Sequence, residues 1–335
     1  MAIIYNEKKK TFFLHTANTT YHFKIGNLNY VNHLYYGGPL HDEDMSYLIR
    51  RYDRGFSGNP YDSLRERTFS LDAQPQEFTT QQQGDFRINS IEVRNSDGSF
   101  SFNGRYLSHK IYKGPFTLNG LPTAFATEND TAETLELIIE DAVSKVQLTL
   151  LYSVFEEADI IMRAVRVHNA GSKTIHLERI MSFNMDFLNG SDMDLLSLPG
   201  RYGQERQVER QPMTHHVHRM RSGRGISSHQ QNPFVALTER TASEDFGDCY
   251  GFALMYSGSF TAEAELDQYD QLRLVMGIND SMFDYPVGPG EDFDTPAVLM
   301  TYTHDGLTGM SHIYHKFFRT NLNRSKFISE VRRPI

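Results

Sequence analysis

Apolar residues in this chain recur at every second position over most of its length, and that period dictates pleated strands rather than helices. Lys145-Val-Gln-Leu-Thr-Leu-Leu-Tyr alternates cleanly, and so does its neighbour Ile161-Met-Arg-Ala-Val-Arg-Val-His. Further strands are predicted over 3–5, 11–15, 20–24, 86–93, 99–111, 134–140 and 174–187. In the second half they follow over 207–220, 234–237, 249–257, 261–268 and 272–277. Residues 30–36 read as either a short helix or a strand. Turn pairs such as Asp97-Gly98, Asn119-Gly120 and Ala170-Gly171 punctuate the pattern. No glycine-rich phosphate loop, strand–helix–strand alternation or fixed-period repeat interrupts it. The fold class is all-β, as one large domain or two in 335 residues.

Helical spacing is confined to the last part of the chain. After Asp305-Gly306, residues Met310, Ile313, Tyr314, Phe317 and Phe318 recur at the three-and-four interval of one helix face, with Asp305 as the predicted cap. The formal charge of −9 argues against a nucleic-acid partner. No run approaches the length of a membrane span. A single cysteine, Cys249, forbids an intramolecular disulfide and suits a reducing compartment, so a cytoplasmic location is expected.

One stretch concentrates recognition chemistry: Arg50-Arg-Tyr-Asp-Arg-Gly-Phe-Ser-Gly-Asn-Pro-Tyr-Asp62. Gly55, Gly58, Asn59 and Pro60 make it a loop, and residues 50–83 as a whole read as a long ordered loop. Its carboxylates and guanidinium forks can satisfy sugar hydroxyls while its rings cover the apolar face of a pyranose. The same residues also suit a solvated loop with internal Arg–Asp pairs. Paired acids for glycosidic cleavage are harder to find, because Asp42, Glu43, Asp44, Glu156, Glu157, Asp192 and Asp194 all lie in hydrophilic turn runs. His216 and His218 share a strand face and could hold a metal, or be ordinary polar strand residues. With no third ligand evident, no metal and no cofactor are expected. No Gly-x-Ser-x-Gly elbow occurs, and Cys249 lies within a strand pattern.

A set of ordered motifs resembles the N-terminal domain of family 36 α-galactosidases. They are Tyr52-Asp-Arg-Gly-Phe-Ser-Gly-Asn-Pro-Tyr, Gly84-Asp-Phe-Arg, His109, Gly120-Leu-Pro, Gly200-Arg-Tyr, Ser227-Ser-His, Asn232-Pro-Phe, Tyr256-Ser-Gly, Gly277-Ile-Asn, Gly290-Glu and Gly309-Met-Ser-His. The resemblance runs along essentially the whole chain. It implies a large two-sheet β-supersandwich of the galactose-mutarotase-like kind over 1–305. A linker helix over 306–335 would then lead toward a (β/α)8 catalytic barrel.

The family's nucleophile lies in a Lys-aromatic-Asp strand end, and none of the ten lysines here is followed two positions on by aspartate. The resemblance therefore implies the N-terminal portion of a retaining α-galactosidase, without catalytic carboxylates and inactive alone. The whole enzyme would act on melibiose- and raffinose-type galactosides as a homo-oligomer, a tetramer, in which this domain reaches a neighbouring subunit's pocket. Asp53 would then accept hydrogen bonds from galactose, with Arg54 or Arg65 orienting it and Phe56 lining the pocket. A freestanding carbohydrate-binding or structural module is the alternative. Tyr202 and Tyr285 stand where the family pattern has tryptophan, Ser259 where it has asparagine and Ala297 where it has glutamate.

Overall fold

In the computed structural model, residues 2–53, 58, 63 and 66–325 are described. Strands β1 (Ile3–Asn6), β2 (Thr11–His15), β3 (Thr20–Ile25) and β4 (Val31–Gly37) form an antiparallel sheet in sequence order. Then come β5 (Ile91–Arg94), β6 (Gly104–Lys113), β7 (Ala132–Asp141), β8 (Val146–Phe155), β9 (Ile160–Asn169), β10 (Ile175–Phe187) and β11 (Met193–Pro199). The remainder are β12 (Glu209–Pro212), β13 (Val217–Arg221), β14 (Gln231–Glu239), β15 (Cys249–Leu254), β16 (Phe260–Leu266), β17 (Leu272–Ile278), β18 (Tyr285–Val287), β19 (Asp292–Asp294) and β20 (Val298–Thr303). The largest sheet runs β12-β11-β14-β15-β20-β9-β8-β7-β6, with β19 on β9. A six-stranded sheet runs β13-β16-β17-β10-β18, with β5 on β10. The expected all-β sandwich is present, and its second layer is divided between the four-stranded and six-stranded sheets.

The period-two pattern explains how the layers stack. On β8, Val146, Leu148, Leu150, Tyr152 and Val154 enter a core shared by all three sheets, while Leu151 and Phe155 face the other way into a second core. Strand β20 splits likewise, Val298 and Met300 inward and Leu299 outward. Both faces of the large sheet are thus covered, the outer one by helix α1 (Gly306–Phe317) through Met310, Tyr314 and Phe317. Close approach of that helix requires Gly251, where a Cβ would lie 2.7 Å from Tyr314 and 2.8 Å from Met310.

Several expectations are revised. Residues 30–36 settle as strand, for β4 pairs with β3. The single strand predicted over 207–220 is two, β12 in the large sheet and β13 in the six-stranded one, because the Thr214–His216 backbone turn breaks it. Asp305 stands at the helix N-cap position without a side-chain cap bond. The amides of Leu307 and Thr308 instead donate to the carbonyls of Ser243 and Glu244, at 3.1 and 2.8 Å. Tertiary contact thus does the work of a cap.

The loop predicted over 50–83 is interior in its second half. Gln74, Gln76, Glu77, Thr79, Thr80 and Gln81 are all buried. This stretch has little strand pairing, so its polar side chains complete the hydrogen bonding of what surrounds it. Thr79 Oγ1 accepts from Ser90 N at 2.8 Å and Gln81 Oε1 from Val93 N at 2.8 Å.

His22, fully buried on β3, donates from Nδ1 to the carbonyl of Phe12 at 2.8 Å and stacks on Phe13 at 4.0 Å. Burial pushes its imidazole down from 6.5 to about 4. Across that window the unfolded chain binds a proton that the folded chain refuses, so stability falls as pH drops from 6.5 toward 4. The loss is roughly 3 kcal/mol. His22→Asn is expected to flatten the dependence of Tm on pH in this window; an unchanged slope would acquit His22.

Candidate functional site

Described residues of the Arg50–Asp62 stretch dock against the tip of the β16–β17 hairpin and the connection between β10 and β11. Arg50 donates to Tyr269 O at 2.8 Å and to Asn189 Oδ1 at 2.6 Å, and Tyr52 stacks on Tyr269 with ring centroids 4.5 Å apart. Tyr269 lies in the β16–β17 turn, which Asp267 closes by accepting from the amides of Tyr269 and Gln271 at 2.7 and 3.0 Å. Asn189 lies between β10 and β11. Asp53, the leading sequence candidate, is 64% exposed and pairs with Arg67 Nε at 2.9 Å. Its partner thus lies outside the Arg50–Asp62 stretch, and the pair leaves the carboxylate largely accessible. The other candidates, Arg54, Phe56 and Arg65, lie outside the described residues.

Against other parts of this stretch the structure adds two aromatic residues, Phe86 and Tyr269, neither singled out for a site role by the sequence. Phe86 is 71% exposed, and its ring tip would meet a Cβ on Gly58 at 3.5 Å. Its signal was present in the Gly84-Asp-Phe-Arg motif; that of Tyr269 was an aromatic residue in an aspartate-flanked tight turn. The site surface thus carries an exposed acid, an exposed ring and a guanidinium, groups that bind hydroxyl-rich ligands.

Under this surface lies a buried ionic cluster. Arg273 grips Asp186 through two bonds of 2.8 and 2.7 Å and approaches Asp85 at 2.8 Å. Arg87 donates to Asp85 at 2.9 Å and to the carbonyls of Leu71 and Gln74 at 2.9 and 2.8 Å. Burial pushes the Asp85 and Asp186 carboxyls up, but the adjacent guanidinium groups outweigh it, so both titrate below the ordinary carboxylate range. The cluster ties the chain around residues 71–88 to β10 and β17. It fixes the backbone that carries Phe86 and, with Arg87 3.6 Å from Asp267, the β16–β17 turn.

The remaining sequence candidates are scattered. Asp42 pairs with His15 at 2.9 Å, Asp44 with Lys24 at 3.6 Å and Asp194 with Arg210 at 2.7 Å. His216 and His218 stack at 4.3 Å and both contact Thr214 Oγ1, and burial lowers His218. Among the described residues, no group of three or more His, Cys, Asp or Glu is placed to hold a metal ion, and no helix is long and apolar enough to cross a membrane. Cys249 is buried, which pushes its thiol up to about 11. Tyr202 is 90% exposed and Tyr285 43% exposed, so neither replaces a core tryptophan here.

Comparison with known proteins assigns the family. Residues 29–288 match the model of the glycosyl hydrolase family 36 N-terminal domain, and residues 292–335 match the melibiase model. The chain belongs to glycosyl hydrolase family 36. It is 42% identical over its full length to the bifunctional α-galactosidase/sucrose kinase AgaSK of Mediterraneibacter gnavus, of which it covers 35%. It is 41% identical to α-galactosidase AgaA of Geobacillus stearothermophilus, again over its full length and covering 45% of that protein.

Solved family 36 structures superpose closely. The galactosidase domain of AgaSK aligns with TM-score 0.96 at 42% identity, covering all of this chain and 46% of that one. AgaA in complex with raffinose aligns with TM-score 0.93 at 40% identity, covering 97% and 45%. This family 36 chain therefore spans less than half the length of these relatives.

Proposed function

We propose that this chain is the N-terminal portion of a retaining α-galactosidase that hydrolyses terminal α-galactosyl residues of melibiose- and raffinose-type oligosaccharides. The observation that carries this reading is the succession of the two family 36 models, N-terminal domain then melibiase, on a chain spanning under half of its α-galactosidase relatives. Residues 1–305 form the β-supersandwich, and 306–335 lead toward the catalytic barrel. The portion carries no catalytic carboxylates of its own and works in the cytoplasm. A groove of about 630 Å3 beside α1, walled by Val208, Phe234, Leu307, Met310 and Phe318, supports the reading as a seat for that barrel.

The test is hydrolysis of p-nitrophenyl α-galactoside by this chain and by one extended through the barrel. Turnover by the extended chain alone is the expected result. Turnover by the short chain would overturn the division of labour.

In the assembled tetramer the Asp53 loop completes a neighbouring subunit's pocket, with Arg54 or Arg65 orienting the acid and Phe56 lining the pocket. The support for this is the accessible Asp53 carboxylate, in the stretch whose Gly58 lies against the exposed ring of Phe86. A charge-assisted hydrogen bond contributes about 1.5–3 kcal/mol, so Asp53→Ala in the extended enzyme is expected to lower kcat/KM roughly ten- to hundredfold. Mixing that variant with a barrel-inactivated one should restore activity if the loop acts across subunits. Unchanged kinetics in Asp53→Ala would remove it from the site.

A further inference from the structure

A second cleft, of about 340 Å3, opens at the other end of the six-stranded sheet. The Asp53 loop docks on the β16–β17 turn, before Leu272, whereas this cleft includes Ile278 at the far end of β17. Seven extended residues separate the two ends by about 20 Å.

Its walls come from short strands held at sheet margins. Tyr285 on β18 leans against Phe293 on β19 with ring centroids 4.7 Å apart, and Phe293 meets Phe283 at 6.0 Å. The Tyr285 ring is thus backed by other aromatic rings while remaining 43% exposed. Asp292 accepts from His168 Nδ1 at 2.8 Å and keeps 56% of its side chain accessible. Asp294, by contrast, is committed: Arg166 holds it through bonds of 2.7 and 3.1 Å, and the amide of Asn119 donates to it at 3.0 Å. That contact fixes the turn bearing Asn119 beside the aromatic wall.

The cleft therefore joins a supported aromatic platform, an accessible carboxylate and an amide side chain on a constrained frame. A pyranose presents an apolar C–H face to the first and hydroxyl donors and acceptors to the other two. Its volume lies within the usual range for small-molecule sites. The accessible Asp292 disfavours an anionic ligand, and Arg166 already neutralises Asp294 against a cationic one. We propose that this cleft is a second binding site for a neutral sugar, distinct from the Asp53 surface and independent of whether the chain serves a hydrolase.

The test is titration of the full chain with raffinose, followed by calorimetry and by ligand-observed NMR, with inositol as the polyol control. Saturable binding of raffinose, weakened about tenfold or more by Tyr285→Ala and preserved by Tyr285→Phe, is the expected result. Asp292→Asn should weaken it as well, whereas Val143→Ala, at an exposed turn that does not line the cleft, should leave it unchanged. No saturable binding, or binding that Tyr285→Ala does not alter, would overturn the proposal. Because Tyr285 and Asp292 are exposed, unchanged Tm in each variant separates loss of a ligand contact from loss of fold. Failure of the hydrolysis test leaves this titration intact, and the reverse also holds.

Discussion

Glu77→Gln is expected to destabilise the fold by about 3–5 kcal/mol, the cost of stranding a buried charge. Glu77 is fully buried, and its carboxylate gathers all three sheets. Oε1 accepts from Tyr21 of the four-stranded sheet and Tyr152 of the large sheet, both at 2.6 Å, and meets Arg163 of β9 at 2.8 Å. Oε2 meets His33 of β4 at 3.2 Å. Arg163 in turn donates to the carbonyl of Asn184 on β10 at 2.9 Å, bringing in the six-stranded sheet.

Glutamine matches the shape but removes the negative charge, leaving the guanidinium 2% exposed and uncompensated. It also cannot accept every bond that the two carboxylate oxygens now accept. Urea denaturation of the chain and the variant measures the difference. A shift below about 1 kcal/mol would mean that the Tyr21 and Tyr152 hydroxyls and water suffice to solvate Arg163.

The second large effect is expected at Asp186. Asp186→Ala removes the two-point partner of Arg273, which is only 1% exposed, and the acceptor of the Gln76 amide at 2.9 Å. Asp85 then remains the sole carboxylate in direct contact with Arg273 among the described residues. A loss of about 3–5 kcal/mol is expected here too, read from the urea midpoint.

The pH dependence gives a second check. The folded Asp85, Asp186 and Glu77 titrate below their ordinary values because guanidinium groups oppose the effect of burial. The unfolded chain therefore takes up protons first as pH falls, and the stability these pairs contribute is present above the unfolded carboxylate range and lost below it. Asp186→Asn should weaken that acid sensitivity between about pH 4 and 2. A steeper acid loss in the variant would refute the assignment.

Much of the architecture is legible in the sequence. Alternation along 145–155 and 160–169 matches β8 and β9, and the spacing from Met310 to Phe317 marks the buried face of α1. The quoted motifs were enough to identify family 36. Other features escaped because their signal is not periodic. The break between β12 and β13 depends on which sheet each half joins. The interior position of Thr79 and Gln81 depends on neighbours more than ten residues away that need their hydrogen bonds.

The candidate site divides in the same way. Asp53 stood out because acids, arginines, rings and turn residues crowd one stretch. Tyr269 did not stand out, and Phe86 stood out only as part of a motif, because each becomes part of a surface only when two distant segments meet. Nothing in the sequence marks Arg87, Arg163 and Arg273 as buried, since a charge carries no sign of burial until its counterions are in place.

The sequence by itself determined the all-β class, most of the strands and the terminal helix, since side-chain period is a local consequence of backbone geometry. Tertiary structure alone decided which carboxylate faces which guanidinium and which rings share a surface. Those pairings join residues as far apart in the chain as Asp85 and Arg273, and only the packing of the three sheets brings them within bonding distance.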